Sequence, residues 1–212
     1  MIITRIVKRK NKQRTFAIYV DGAIEFDVSD TVLLKYGLRR GDNIDEDTIT
    51  EIKGSELRKQ AENLAVNYIS YRPRSSRELL DHLIRKGFSR ELGESVVQHF
   101  ESISLINNLE FARMFVRDKL RRKATGQRLL HRLLAAKGIP SVTIEQVLRE
   151  NVSEEDQKLA AKELASRRLN LTKQSMARLD PAKKRQRLTA YLLRHGFSNE
   201  VVQKTIQSLF RQ

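Results

Sequence analysis

Apolar side chains follow one rhythm in the first quarter of the chain and another in the rest. Phe16, Ile18 and Val20 alternate with polar or small residues toward Asp21-Gly22, and Ile24, Phe26 and Val28 alternate away from it. Period two marks a strand, and two such runs about Asp-Gly mark a β-hairpin. A two-residue turn at Asp21-Gly22 sets Phe16 opposite Asp27 and Ile18 opposite Glu25, which wastes the apolar face. A three-residue loop, Val20-Asp21-Gly22 with Gly22 left-handed, sets Ile18 opposite Ile24 and Phe16 opposite Phe26, and it is the expected geometry. Ile2 to Val7 supply a third strand, joined through the turn Lys8 to Arg14. Ser29 is placed to cap a short helix that Gly37 ends, whereas residues 38 to 54 carry no decisive pattern.

Beyond residue 54 the period lengthens and a larger motif recurs. Leu83-Ile84-Arg85-Lys86-Gly87-Phe88, Leu134-Ala135-Ala136-Lys137-Gly138-Ile139 and Leu192-Leu193-Arg194-His195-Gly196-Phe197 share apolar residues, a base, glycine and a large apolar residue. A helix ends well on a left-handed glycine, and a base just before it faces the negative end of the dipole. Ser89, Ser141 and Ser198 then stand as N-caps of the next helix, the middle one displaced by Pro140. Apolar pairs recur nine and ten positions after each glycine at Val96-Val97, Val147-Leu148 and, more weakly, Thr205-Ile206. A further helix precedes each marker, over residues 55 to 71, 107 to 122 and 153 to 169. In the middle one Leu109, Ala112, Val116 and Leu120, widened by Phe111 and Phe115, form a core-facing stripe.

The spacing from Gly138 to Gly196 exceeds that from Gly87 to Gly138, and the extra residues are assigned to the stretch between Asn170 and Lys184, where Asp180-Pro181 starts a fresh helix. The expected architecture is mainly α: a small β-hairpin-containing region over 1-53, then three-helix repeats over 54-104, 105-151 and 152-212 in an elongated array.

Composition adds a compartment and a field. The chain has 212 residues and no cysteine, so it offers neither disulfide nor thiolate metal ligand. Its first ten residues lack the apolar run of a signal peptide, and no long apolar stretch follows, so a soluble cytoplasmic monomer with no membrane contact is expected. The net charge of +15 is unevenly spread: residues 1 to 53 and 54 to 104 each net +1, residues 105 to 150 net +6 and residues 151 to 212 net +7. Such a field draws polyanions, although a basic surface can also serve solubility alone.

Enzyme signatures are missing. The sequence holds neither phosphate-loop nor dinucleotide-binding glycine pattern, and His82, His99, His131 and His195 lack metal-helix spacing. Glu154-Glu155-Asp156 open a helix and suit its dipole. A non-enzymatic protein without cofactor is expected.

The basic clusters are the better lead. Arg113, Arg117 and Arg121 recur at steps of four, Arg122 and Lys123 close that helix, and Arg128 and Arg132 open the next, which places the seven around one corner. Against phosphate such cations displace counterions; the alternative is a solvated helix face. Lys183, Lys184, Arg185 and Arg187 form a second cluster, and Arg72, Arg74 and Arg77 a third around Pro73, where Ser75 or Ser76 restarts a helix and the arginines can simply decorate a turn. The turn Lys8 to Arg14 is a fourth candidate. Without Trp, and with the repeat phenylalanines assigned to cores, phosphate or acidic-protein contact is favoured over base reading.

Tyr71-Arg72-Pro73-Arg74-Ser75, Arg85-Lys86-Gly87-Phe88-Ser89, Phe111-Ala112 with Phe115-Val116, Lys137-Gly138-Ile139, and Arg194 with Gly196-Phe197-Ser198, in that order, resemble the RecX family of recombinase regulators over residues 55 to 212. The segment Tyr36-Gly37-Leu38-Arg39-Arg40-Gly41-Asp42 and the hairpin before it are similar to an extension found in some members. Asn107-Asn108-Leu109-Glu110 departs from the family's more acidic stretch, and His195 stands where arginine is common. The resemblance implies tandem three-helix repeats that bind the RecA recombinase, chiefly its filament on single-stranded DNA, and restrain its ATPase, recombination and strand exchange. A stand-alone helix-turn-helix DNA-binding protein is the alternative.

Overall fold

The computed structural model describes residues 1–10, 14–172 and 179–210. Three antiparallel strands, β1 (Ile3–Lys8), β2 (Thr15–Val20) and β3 (Ala23–Ser29), lie in the order β1-β2-β3. Ten helices follow among the described residues: α1 (Asp30–Lys35), α2 (Glu46–Ser70), α3 (Ser76–Arg85), α4 (Arg90–Ser102), α5 (Asn108–Arg122), α6 (Gln127–Ala136), α7 (Ser141–Asn151), α8 (Glu154–Leu171), α9 (Pro181–Arg194) and α10 (Asn199–Phe210). Packing groups them into two compact units, Met1–Arg72 with Leu79–Ser102, and Pro73–Glu78 with Ile103–Gln212.

In the first unit the hairpin solves its register problem by a route other than the expected loop. Val20 pairs with Ala23, so the turn is the two-residue Asp21-Gly22, with both residues left-handed at φ 48° and 90°. That is the turn whose twist matches a hairpin. The register then shifts between Ile18 and Tyr19, which leaves Glu25 as the extra residue of a bulge and sets Ile18 opposite Phe26 and Phe16 opposite Val28. The expected pairs Ile18 with Ile24 and Phe16 with Phe26 do not form, because a bulge restores the apolar face at less cost to the turn. The face packs with Ile3, Val32, Ile44, Ile49 and Ile52.

Ser29 caps α1, its side chain accepting from Val32 N–H, and Gly37 follows that helix at φ 60°, as the sequence requires. The helix expected over 55 to 71 begins earlier, at Glu46, where Asp45 caps it by accepting from Thr48 N–H. Its first turns bury Ile49 and Ile52 against the sheet. Glu56 is a buried acid on the same helix; its carboxylate accepts from the backbone N–H and hydroxyl of Ser29 and from Gln60. A buried charge so satisfied fixes α2 against the start of α1. Farther along, Gly93 of α4 lets that helix approach Leu80 and Leu83 of α3.

Each marker glycine ends its helix by the same device. Gly87, Gly138 and Gly196 have φ 94°, 75° and 85°. The residue after each donates back over the last turn, Phe88 to Leu83, Ile139 to Leu134 and Phe197 to Leu192, which is the Schellman closure. Ser89 and Ser198 cap α4 and α10 through Leu92 N–H and Val201 N–H. Ser141 does not cap α7: it is the first helical residue, and Pro140 takes the cap position without a side-chain bond. Proline's fixed φ carries the chain into the helix, and the serine is pushed one place inward. Thr205, the weak match in the apolar pairing, is buried because its hydroxyl donates to Val201 C=O.

The second unit holds two cores, one of Phe111, Val116, Leu130, Leu134 and Ile144 with their neighbours, the other of Leu164, Leu188, Leu192, Phe197 and Val202 with theirs. α5, α8 and α9 start at or within one residue of the sequence expectation, capped by Asn107, Ser153 and Asp180. Part of the insert between Asn170 and Lys184, and part of the Lys8 to Arg14 turn, lie outside the described residues.

Candidate partner-binding surface

The α5 cations do not act as one group. Arg113 is clasped: its guanidinium donates to Glu110, three residues before it, and to Glu150 on α7, at 2.6 and 3.0 Å, and its side chain keeps only 26% of its exposure. Arg113 is held charged above even its ordinary range, by the Glu150 hydrogen bonds first and Glu110 second. The reciprocal bonds from Arg113, and then Gln146, lower the Glu150 carboxyl. Arg113 therefore joins α5 to α7 and offers little to a partner. Arg121 and Arg122 share the single carboxylate of Asp118 yet stay 80% and 73% exposed, so a positive excess remains. Arg117 and Lys123 are exposed and have no carboxylate partner among the described residues.

Past α5 the expected corner divides. Arg121, Arg122 and Lys123 line a depression with Arg167 and Tyr191, from α8 and α9. Arg128 and Arg132, exposed on α6, line a different and larger groove with Arg149 of α7. In the second cluster Lys183 and Arg187 are exposed, Lys184 is half-buried, and Arg185 lies over the Phe210 ring at 5.3 Å. In the third, Arg72 is exposed, Arg74 is half-buried, and the stem of Arg77 packs so near Gly138 that a Cβ there would stand 2.6 Å from the Arg77 Cβ.

That last contact belongs to a junction that recurs. Ser75, buried at the start of α3, accepts from Glu78 N–H and donates its hydroxyl to Lys137 C=O at 2.7 Å, while Lys137 pairs with Glu78. At the corresponding start of α6, Gly126 N–H donates to His195 C=O at 2.8 Å and Arg128 N–H to Gly196 C=O at 2.9 Å. In both places the residue before a marker glycine is bound by the start of the second helix in the preceding set. Two of the marker turns are thus docking points as well as helix stops.

Models of the first, second and third three-helix domains of RecX match residues 61–100, 107–148 and 154–206. The chain belongs to the RecX family. Among RecX relatives, the regulatory protein RecX of Bacillus subtilis is 31% identical over 207 residues, covering 98% of this chain and 76% of that protein. That of Lactobacillus gasseri is 34% identical over 154 residues, and there the match spans only 56% of the relative. A crystal structure of a regulatory protein RecX superposes with TM-score 0.78 at 25% identity, covering 95% of this chain and 97% of that one. RecX from Lactobacillus salivarius gives 0.65 at 23% identity over 74% of this chain, a likeness of fold.

Each of the three matched domains contains one of the recurrent turns, at Gly87, Gly138 and Gly196. Two cations beside the candidates were not singled out from the sequence: Arg149 and Arg167 reach the two depressions from helix faces that no linear charge run marks. Glu150, four residues after Gln146 and next to Arg149, carried no signal that it would take Arg113 out of the cluster. Among the described residues no three His, Asp or Glu side chains gather to hold a metal, and no helix is long and apolar enough to cross a membrane.

Proposed function

We propose that this chain is a non-enzymatic cytoplasmic regulator of the RecA recombinase, binding as a monomer to the recombinase filament on single-stranded DNA and restraining ATP turnover and strand exchange. The observation that carries the reading is the exposed cationic surface of the second repeat, Arg117, Arg121, Arg122, Lys123, Arg128 and Arg132, on a RecX-family fold. These six face DNA phosphate or an acidic protein surface, and Lys183 and Arg187 extend the same field from the third repeat. Binding that favours a less active filament state shifts the population toward it by the difference in affinity, with no chemistry in the regulator itself.

Titrating the purified chain into a recombinase ATPase assay on single-stranded DNA, beside DNA binding without recombinase at two salt concentrations, tests the reading. Inhibition together with weak DNA binding is the expected result. Tight, salt-sensitive DNA binding with no effect on ATPase identifies a stand-alone DNA-binding protein instead.

A further inference from the structure

The larger groove has a chemistry unlike that of the α5 end. It encloses about 1060 Å³ within the second unit, more than a small-molecule pocket needs and enough for a segment of chain. One wall, from α6 and α7, presents Arg128, Arg132 and Arg149, none in an ion pair among the described residues. The apolar part of the lining includes Val152 and Leu193, the latter 37% exposed. Glu154 and Glu200, also in the lining, are held by Lys158 and Lys204, at 2.9 and 2.6 Å, which offsets part of their charge. Glu145 also lines the groove.

The groove is built rather than incidental. The backbone bond from Arg128 to Gly196 anchors its cationic wall, and Gln157 accepts from Gln127 N–H at the same helix start. A wall fixed in this way is ordered before any partner arrives, which lowers the entropic cost of binding.

We propose that this groove receives an acidic peptide segment with interspersed aliphatic residues, its carboxylates on Arg128, Arg132 and Arg149 and its aliphatic side chains on Val152 and Leu193. The assignment rests on the reading that the chain works by binding a protein assembly, and it gives the groove a task separate from the phosphate contacts of Arg117 to Lys123. A nucleic-acid strand fits less well. It bears a charge at every nucleotide and would run along Glu145, which has no ion-pair partner among the described residues, and the groove lining holds no Phe, Tyr or Trp ring on which bases could stack. A peptide places its charges on one side only.

The test is fluorescence anisotropy of the whole chain with a fluorescein-labelled peptide of alternating glutamate and leucine, about twelve residues long, and with a single-stranded oligothymidylate of about the same length. The triple variant R128E/R132E/R149E should weaken peptide binding at least about tenfold, since exposed charge pairs are both lost and reversed. Leu193→Glu, which leaves the arginines in place, should weaken it as well, and R117E/K123E should not. Helical circular dichroism checks that each variant is folded. Absence of peptide binding by the parent chain, indifference of that binding to the groove variants, or loss of oligothymidylate binding in R128E/R132E/R149E greater than in R117E/K123E overturns the proposal. Because recombinase is absent from this assay, failure here leaves the ATPase titration to judge the broader reading by itself.

Discussion

At the scale of single residues the glycines divide into kinds that their sequence contexts do not reveal. Gly87 meets nothing within 4 Å of an added Cβ, so Gly87→Ala carries only left-handed strain, about 1–2 kcal/mol. At Gly196 the new atom would stand 2.3 Å from Leu129 Cβ and backbone nitrogen, and at Gly138 it meets Arg77, so both substitutions should cost more than the first. Gly126 separates the two effects: its φ of −74° is ordinary, yet a Cβ there would lie 2.0 Å from the Gly196 carbonyl carbon. Gly126→Ala should therefore lose about 1–3 kcal/mol through packing alone, read as a lower urea midpoint at unchanged slope. Gly54, mid-helix with open space around it, should behave oppositely, with alanine raising stability by about 0.5–1 kcal/mol.

The Arg113 clasp makes a prediction of a different sort. Because Glu150 is lowered in the folded chain, its contribution is present above the unfolded carboxylate value, about 4.3, and fades as pH falls through the folded one. Urea midpoints followed from about pH 6 to about pH 3 should drop less for Glu150→Gln than for the parent chain. An identical drop would mean that the pair is idle in solution.

Elements show where linear pattern suffices and where it stops. Schellman turns, caps at Ser29, Ser89, Ser198 and Asp180, and the apolar stripe of α5 depend on neighbours within a few positions, and all could be read from the sequence. The bulge at Glu25 could not, since it depends on which strand face meets the core. Nor could the early start of α2, whose first turns are stabilised by the sheet rather than by propensity. The candidate surface was legible in charge and illegible in pairing: Arg113 finds Glu150 across 37 positions. Ser75 shows the same limit, being a recognisable cap whose hydroxyl also reaches Lys137, 62 positions on. Ser75→Ala should cost about 1–2 kcal/mol for the cap and more for the carbonyl left bare, whereas Ser89→Ala, a cap alone, should cost about 1 kcal/mol. Equal losses would show that the long bond contributes nothing.

For the whole molecule, the unequal distribution of charge becomes a measurable salt dependence. If Arg117, Arg121, Arg122 and Lys123 all lie against phosphate in the filament complex, replacing the four by alanine should lower the slope of log affinity against log salt by roughly 3. Inhibition should weaken with it, while the helical signal stays. Unchanged inhibition would remove these residues from the contact. The groove residues Arg128, Arg132 and Arg149 should alter this slope much less, because displacing a few carboxylates from arginine releases no condensed counterions.

Both docking junctions also have a direction. The receiving half always precedes the arriving half: Ser75 waits for Lys137, and Gly126 waits for His195. Gly87, the turn with no preceding three-helix set to meet, is the one left open. A chain leaving the ribosome thus exposes each hydrogen-bond donor before its carbonyl acceptor is synthesised, and the second and third marker turns emerge onto places already made for them.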